Sequence, residues 1–497
     1  MPRATYTLEM ELSAGSWTGV TGDWHTATPL VIERGIEPGE RLAGVGRMTF
    51  ALYNPDGRYT PGHQNAKPGF EVGVAVRLRA SYGGQTDTLF YGRLAEIIPR
   101  GERGEPVARI VCRDEMAAVY TARLETFPLL LDARPKDVVT RLVRRAFTPP
   151  GLAGYWQLGR SQASELGQNT RLPDDDTGTD YDEGQSVFPW VGDTWHAPPG
   201  EVAGQGIAVA RALREVCASE GGTFYLAADG TPVFADRHAR PRHITPDATL
   251  SGSLAGLRVE RSEGRVANRI EITTHPREAS STVEVLWSLN HTLRLEEGVP
   301  RTLVCRYVDP DQKAIQVGAW EVVPPAEGTD YAATDQPDGT GQDVTDYLTV
   351  EAEAGASSAR LTLTSDWRGP GRNVAYVHLL RVRGKPLRTY QPVTVVAEDE
   401  ASQAAHGRRL LHLDMPLQDD AAVAGDLARA LLANRKDPRD WLTVRVEATA
   451  SATLLTHGLA RDVGDRLRVS DDDLGLNGVE SFIEKVRHEI GRGGASH

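Results

Sequence analysis

Gly44-Val45-Gly46-Arg47-Met48-Thr49-Phe50-Ala51-Leu52-Tyr53-Asn54-Pro55-Asp56-Gly57-Arg58-Tyr59-Thr60-Pro61 is the stretch on which the reading of the chain turns. Residues 47–52 alternate with period two, which predicts a strand with one face on a core. The strand stops at Asn54-Pro55-Asp56-Gly57. Pro55 presets φ, Asp56-Gly57 tolerates the reversal, and Asn54 can hydrogen-bond local backbone. A calcium or sugar loop is the rival reading, but a turn accounts for the same residues without a ligand.

Outward from this stretch, residues 5–12, 72–79 and 107–112 alternate in the same way, and Gly83-Gly84 and Gly101-Glu102-Arg103-Gly104 supply turns. Many short strands with regular turns predict a closed or nearly closed N-terminal β-barrel over 1–115. Residues 116–248 read as an α+β domain. Pro135 opens a helix with Val138, Val139, Leu142, Val143 and Ala146 on one face. A second helix carries Ile207, Ala210, Leu213, Val216 and Cys217 and stops at Gly221-Gly222. A hairpin follows, with its turn at Asp229-Gly230. Between the helices, 158–203 reads as an exposed acidic loop.

Residues 249–395 read as a β-rich domain or insert, with strands at 265–272, 302–307 and 359–364 and a loop-like stretch at 318–346. In 396–497 a helix shows Val423, Leu427, Leu431 and Leu432 on one face, capped by Asp419 or Asp420. Strands then return and are expected to complete a second barrel. The fold class is therefore mainly β with α+β parts: two β-barrel-like domains in one chain, with αβ domains between them.

The chain has 497 residues and suits about three or four domains. With 40% apolar and 25% charged residues it is expected to be packed and soluble. No run approaches ~18 apolar residues, which argues against an ordinary membrane span. The start lacks the apolar core of a secretory signal. Cys112, Cys217 and Cys305 are too few and too far apart for a disulfide framework or a zinc site. A net charge of −13 argues against a DNA-gripping surface.

The sharpest acidic cluster is Asp174, Asp175, Asp176, Asp180, Asp182 and Glu183. It reads first as a solvated loop, then as a divalent-cation site, and last as a glycosidase pair with Trp190, Trp195 and His196 near a sugar. A glycosidase needs two carboxylates ~5–10 Å apart, one with its pKa raised by burial. Asp471-Asp472-Asp473 with Asn477-Gly478 reads as a β-turn. His488 is expected to pack or hydrogen-bond at a subunit contact, since no metal-ligand spacing surrounds it. Gly44-Val45-Gly46 opens a strand and lacks a third glycine, so it is not a dinucleotide loop. No G-x-S-x-G elbow occurs. No catalytic, cofactor-binding or metal residue is expected, and the chain is not expected to be an enzyme.

Three segments together resemble a known family. The stretch 44–61 is similar to the strand, turn and strand near the start of phage minor tail proteins. Trp17-Thr18-Gly19-Val20-Thr21, Ile32-Glu33-Arg34-Gly35 and Leu89-Phe90-Tyr91-Gly92-Arg93-Leu94 fit the same opening, and Asp114 ends it. Gly222-Thr223-Phe224-Tyr225 with Asp229-Gly230 and Phe234-Ala235-Asp236-Arg237 resembles a hairpin of tail hub proteins. Residues 462–469 with Ser481-Phe482-Ile483-Glu484-Lys485-Val486-Arg487-His488-Glu489-Ile490 look like the family's ending.

The resemblance implies a multi-domain tail hub fold and a homotrimer at the distal tip of a long non-contractile phage tail. That trimer would adapt the hexameric tube to a threefold tip and form the DNA exit channel. Its implied partners are a distal tail protein or tube ring, a tape measure protein, and a central fibre or receptor-binding protein. DNA would pass transiently without sequence-specific binding, and contact with the host surface would be indirect. Rival readings are a receptor- or carbohydrate-binding tail protein, using Trp287, Trp320 and Trp367, and a tail-borne glycosidase.

Overall fold

The computed structural model describes residues 2–100, 106–124, 126–147, 179–196, 206–251, 254, 256–369, 373–491 and 494–496. The chain is mostly β-strand with few helices. Its largest sheet has nine antiparallel strands. From one edge they run Ser16–Gly19, Thr5–Ser13, Ala75–Tyr82, Gln85–Arg100, Val107–Arg113, Arg47–Tyr53, Leu30–Gly35, Lys485–Gly491 and Gly494–Ser496. The first and last strands do not pair, so the expected closed barrel is not formed among the described residues. Bulges between Leu78 and Arg79 and between Leu94 and Glu96 bend the sheet. Its inner face, with Leu8, Met10, Ile32, Phe50 and Leu52, is covered by the helix Ala452–Ala460 through Leu455 and Leu459. A helix therefore covers what a seam of strands would otherwise close.

The last strand of that sheet corrects a second expectation. Lys485–Gly491 does not complete a second barrel; it lies antiparallel to Leu30–Gly35 in the N-terminal sheet. His488 and Ile490 face the core beside Leu30 and Ile32, while Arg487 reaches out to Glu33 at 2.8 Å.

A second core gathers the helices Pro135–Phe147 and Val209–Glu220 and the hairpin Thr223–Leu226/Pro232–Ala235. Pro135 occupies the first turn, and Gly221 at φ +79° ends the second helix. The expected exposed loop 158–203 is corrected where it is described. Phe188, Val191 and Trp195 are buried in this core, because their apolar side chains anchor the polar backbone between them. Residues 158–178 and 197–203 lie outside the described residues.

A third core belongs to a β-sandwich. The long strand Val374–Thr389 pairs with Arg277–Ala279, Glu284–Ser288, Leu293–Glu296, Gly318–Val323 and Tyr331–Thr334. The facing sheet is Arg301–Arg306, Ser358–Ser365 and Leu348–Ala354. Leu286, Tyr307, Leu361, Val377 and Val382 fill the space between them. Stretch 318–346 thus contains two strands where a loop was expected. Bulges between Trp320 and Val323 and between Ala332 and Ala333 break the period-two signal there.

The fourth core is small. Arg269–Thr274 lies between antiparallel Val393–Glu398 and parallel Leu410–Met415, and the helix Ala421–Arg435 crosses one face. The Asp420 carboxylate accepts from the Ala422 N–H at 2.7 Å, the expected cap. The sandwich is inserted between two strands of this unit that are neighbours in register, Thr274 opposite Val393.

Candidate functional site

The stretch that decided the fold is a side-chain knot. Asn54, buried, accepts from the Tyr59 N–H at 2.8 Å and donates to Thr60 Oγ1 at 2.9 Å. Gly57 at φ +78° makes the reversal. The Tyr59 ring is fully buried against Phe70, and its hydroxyl donates to Asp23, which also takes a bond from Lys67 Nζ at 3.1 Å. The Arg58 guanidinium holds the Asp56 carboxyl down to about 2. Each acidic group here has a cation or hydroxyl partner inside the turn, as a structural turn requires.

The acidic cluster divides. Asp174, Asp175 and Asp176 lie outside the described residues. Asp182 accepts from the Asp236 N–H at 3.0 Å and from Arg242 at 2.8 Å. Glu183 is exposed and pairs with Lys136. Asp182 and Glu183 are thus tied to different cations and link elements. Trp190 packs edge-on to Trp320, and Trp195 packs edge-on to Phe127 inside the core. Burial, with Arg211 and Arg306 nearby, pushes the His196 imidazole down to about 4, so it is neutral at pH 7. Asp471-Asp472-Asp473 forms the expected turn, with Asp471 accepting from the Leu474 N–H at 3.0 Å. His488 is 1% exposed and in register with Ile32, so the strand it packs beside is this chain's own. Among the described residues no group of three or more potential metal ligands converges.

Sequence reasoning missed a cleft of about 400 Å³ where the helical, sandwich and small α/β units meet. The helix Val209–Glu220 presents Arg211, Arg214 and Glu215 to it from the face opposite its core side. Glu215 accepts from Trp195 Nε1 at 2.7 Å and from Arg211 Nε at 3.0 Å. Burial pushes the Glu215 carboxyl up, against the pull of Arg211 and Trp195. From the other side His275 bonds to Asp414 at 2.5 Å. Below the cleft Arg277 grips Asp193 with both partners almost completely buried. Glu215 has both oxygens occupied, and His275 is engaged by Asp414. These groups join elements; they do not form a free acid–base pair. The polar face of the 209–220 helix was visible in the sequence, but its partners near 194, 275 and 414 could not be.

Neither a protein-family sequence profile nor any curated protein sequence matches the chain. Three solved structures align over 99% of it. The tail protein from Neisseria meningitidis MC58 aligns with TM-score 0.48 and 12% identity over 94% of its own length. The 43 kDa tail protein of prophage MuSo2 from Shewanella oneidensis aligns with TM-score 0.47 and 10% identity over 96% of its length. Prophage tail protein gp18 from Listeria monocytogenes EGD-e aligns with TM-score 0.40 and 7% identity over 93% of its length. All three are named tail proteins.

Proposed function

We propose that the chain is a structural phage tail protein, and within the tail the homotrimeric hub at the distal tip of a long non-contractile tail. Three copies would adapt the hexameric tube to the threefold tip and surround the channel through which DNA leaves. The observation that carries the reading is the meeting of the two end motifs. Arg47–Tyr53, from the opening motif, and Lys485–Gly491, from the ending motif, flank the same strand, Leu30–Gly35. Segments that resemble one family at opposite ends of the sequence thus build one sheet. The edges of that sheet, Ser16–Gly19 and Gly494–Ser496, offer backbone ladders to neighbouring copies. A net charge of −13 suits a channel wall that must not trap a polyanion. The role is assembly, with the side chains of the cleft acting as joints.

Light scattering and negative-stain microscopy of the purified protein test this. The expected result is the mass of three chains and threefold rings. A single-chain mass at micromolar concentration, with no rings on the grid, would overturn it.

A further inference from the structure

We infer that the sandwich is a hinged arm, latched to the helical unit by the buried Asp193–Arg277 pair and able to swing about its two-strand root while keeping its own core. The inference does not depend on the tail reading.

The root comes first. The ladder from the small α/β unit ends at Thr274 opposite Val393, and the sandwich ladder begins at Arg277 opposite Thr389. Between them stand Pro276 on one strand and Pro392 on the other. Pro276 has no N–H to give, so a rung is missing there, and opposite Pro392 the His275 N–H turns away to Gln418 O. One backbone bond, Tyr390 N–H to Pro276 O at 2.9 Å, spans the gap. The core beyond the root is drawn from residues 286–382.

The latch comes second. Arg277 Nη1 donates to both Asp193 oxygens, at 3.1 and 3.0 Å, and Nη2 donates to Pro416 O at 2.8 Å. One guanidinium therefore holds the root strand, the helical unit and the small unit together. The other docking contacts include backbone and small side-chain contacts, with Gly318 close against Asp193 and Gly355 against the Phe127 backbone. The Ala356 N–H donates to Phe127 O at 2.7 Å, Ser357 Oγ donates to Trp195 O at 3.2 Å, and Trp320 meets Trp190 edge-on. Around the latch Arg277 Nε, Thr194 Oγ1 and Gln418 Nε2 are buried without hydrogen-bond partners. An interface of this kind is polar and imperfectly satisfied, which favours relative motion over a fixed contact. Desolvation offsets much of the attraction of a buried ion pair, whereas removing one partner leaves a costly unpaired charge. The cleft beside the root, lined by His275 and Thr389, gives the arm space to move.

Spin labels on the full-length protein test the hinge. Cys112, Cys217 and Cys305 are buried, so labels go to Arg141→Cys on the helical unit and Glu353→Cys on the sandwich, both exposed positions. With the latch intact, pulsed dipolar spectroscopy should give one main distance. Asp193→Asn and, separately, Arg277→Met should each add a longer, broader population while circular dichroism stays unchanged. The expected shift in the docked-to-open ratio for Asp193→Asn, which leaves the arginine charge uncompensated, is roughly 100-fold or more. An unchanged distance distribution in both variants would overturn the hinge. So would loss of all cooperative melting in both, because the pair would then belong to a single shared core.

Discussion

Asp114 shows how one residue can set a pH response. It is buried at the end of the strand Val107–Arg113 and accepts from the Met116 N–H at 3.1 Å and from the Gly46 N–H. Burial pushes its carboxyl from 3.8 up to about 7, although Arg34 and the two N–H groups pull the other way. The folded protein therefore holds a proton there that the unfolded chain has already lost. The stability this gives is full below about 3.8 and disappears as pH rises through about 7. Asp114→Asn cannot take part in that loss. Urea unfolding at a series of pH values should show the wild type losing ground to the variant between those limits, on the order of a few kcal/mol at most. Parallel curves would refute the assignment. Tyr59 and Gly464 show a different kind of constraint. The Tyr59 hydroxyl ends on Asp23 of a distant turn, and a Cβ at Gly464 would lie 2.4 Å from the Tyr225 hydroxyl. The sequence marks Gly464-Asp465-Arg466 as a tight turn but cannot name the partner that keeps Gly464 bare.

At the scale of elements, what the sequence reveals is local. The helices Pro135–Phe147 and Val209–Glu220 and the hairpin at Asp229-Gly230 were legible because apolar spacing, a first-turn proline and terminal glycines lie within one window. Strand pairing was not legible, because it depends on residues hundreds of positions apart. The ending motif makes the point. Read as one strand, 481–490 puts apolar residues on both parities and suggests two contacted faces. In fact Leu476–Phe482 pairs with Arg466–Asp471, the chain breaks at Ile483-Glu484, and Lys485–Gly491 starts afresh in another sheet. On that second strand Val486, His488 and Ile490 alternate inward and the charges outward. Truncation after Glu484 should therefore damage the N-terminal sheet. Yield and melting of the 1–484 protein should fall, and hydrogen exchange should rise in Leu30–Gly35 and Arg47–Tyr53. Exchange confined to residues around 393–415 would instead return the strand to a second barrel. The cleft was illegible for the same reason as the pairing: Thr194, Arg211, His275 and Asp414 meet only once three cores are in place.

The described residues form four hydrophobic cores, and polar contacts such as Asp193–Arg277 and Arg34–Asp462 run between the units that hold them. Such a chain should not melt as one unit. Scanning calorimetry is expected to resolve at least two transitions, one of them assignable to the sandwich. A single transition with equal calorimetric and van't Hoff enthalpies would contradict that expectation. The strand Lys485–Gly491 has a further consequence, for the order in which the protein is made. Its pairing with Leu30–Gly35 joins residues about 450 positions apart, Arg487 and Glu33 being separated by 454. On the ribosome, at ~5–20 residues per second, that separation is roughly 20–90 s of elongation. For all of that time Leu30–Gly35 stands at the margin of a nascent sheet with its outer backbone groups bare, open to another polypeptide. The protein is thus most vulnerable to mispairing while it is still being translated, and the emergence of Lys485–Gly491 is the step that covers Leu30–Gly35.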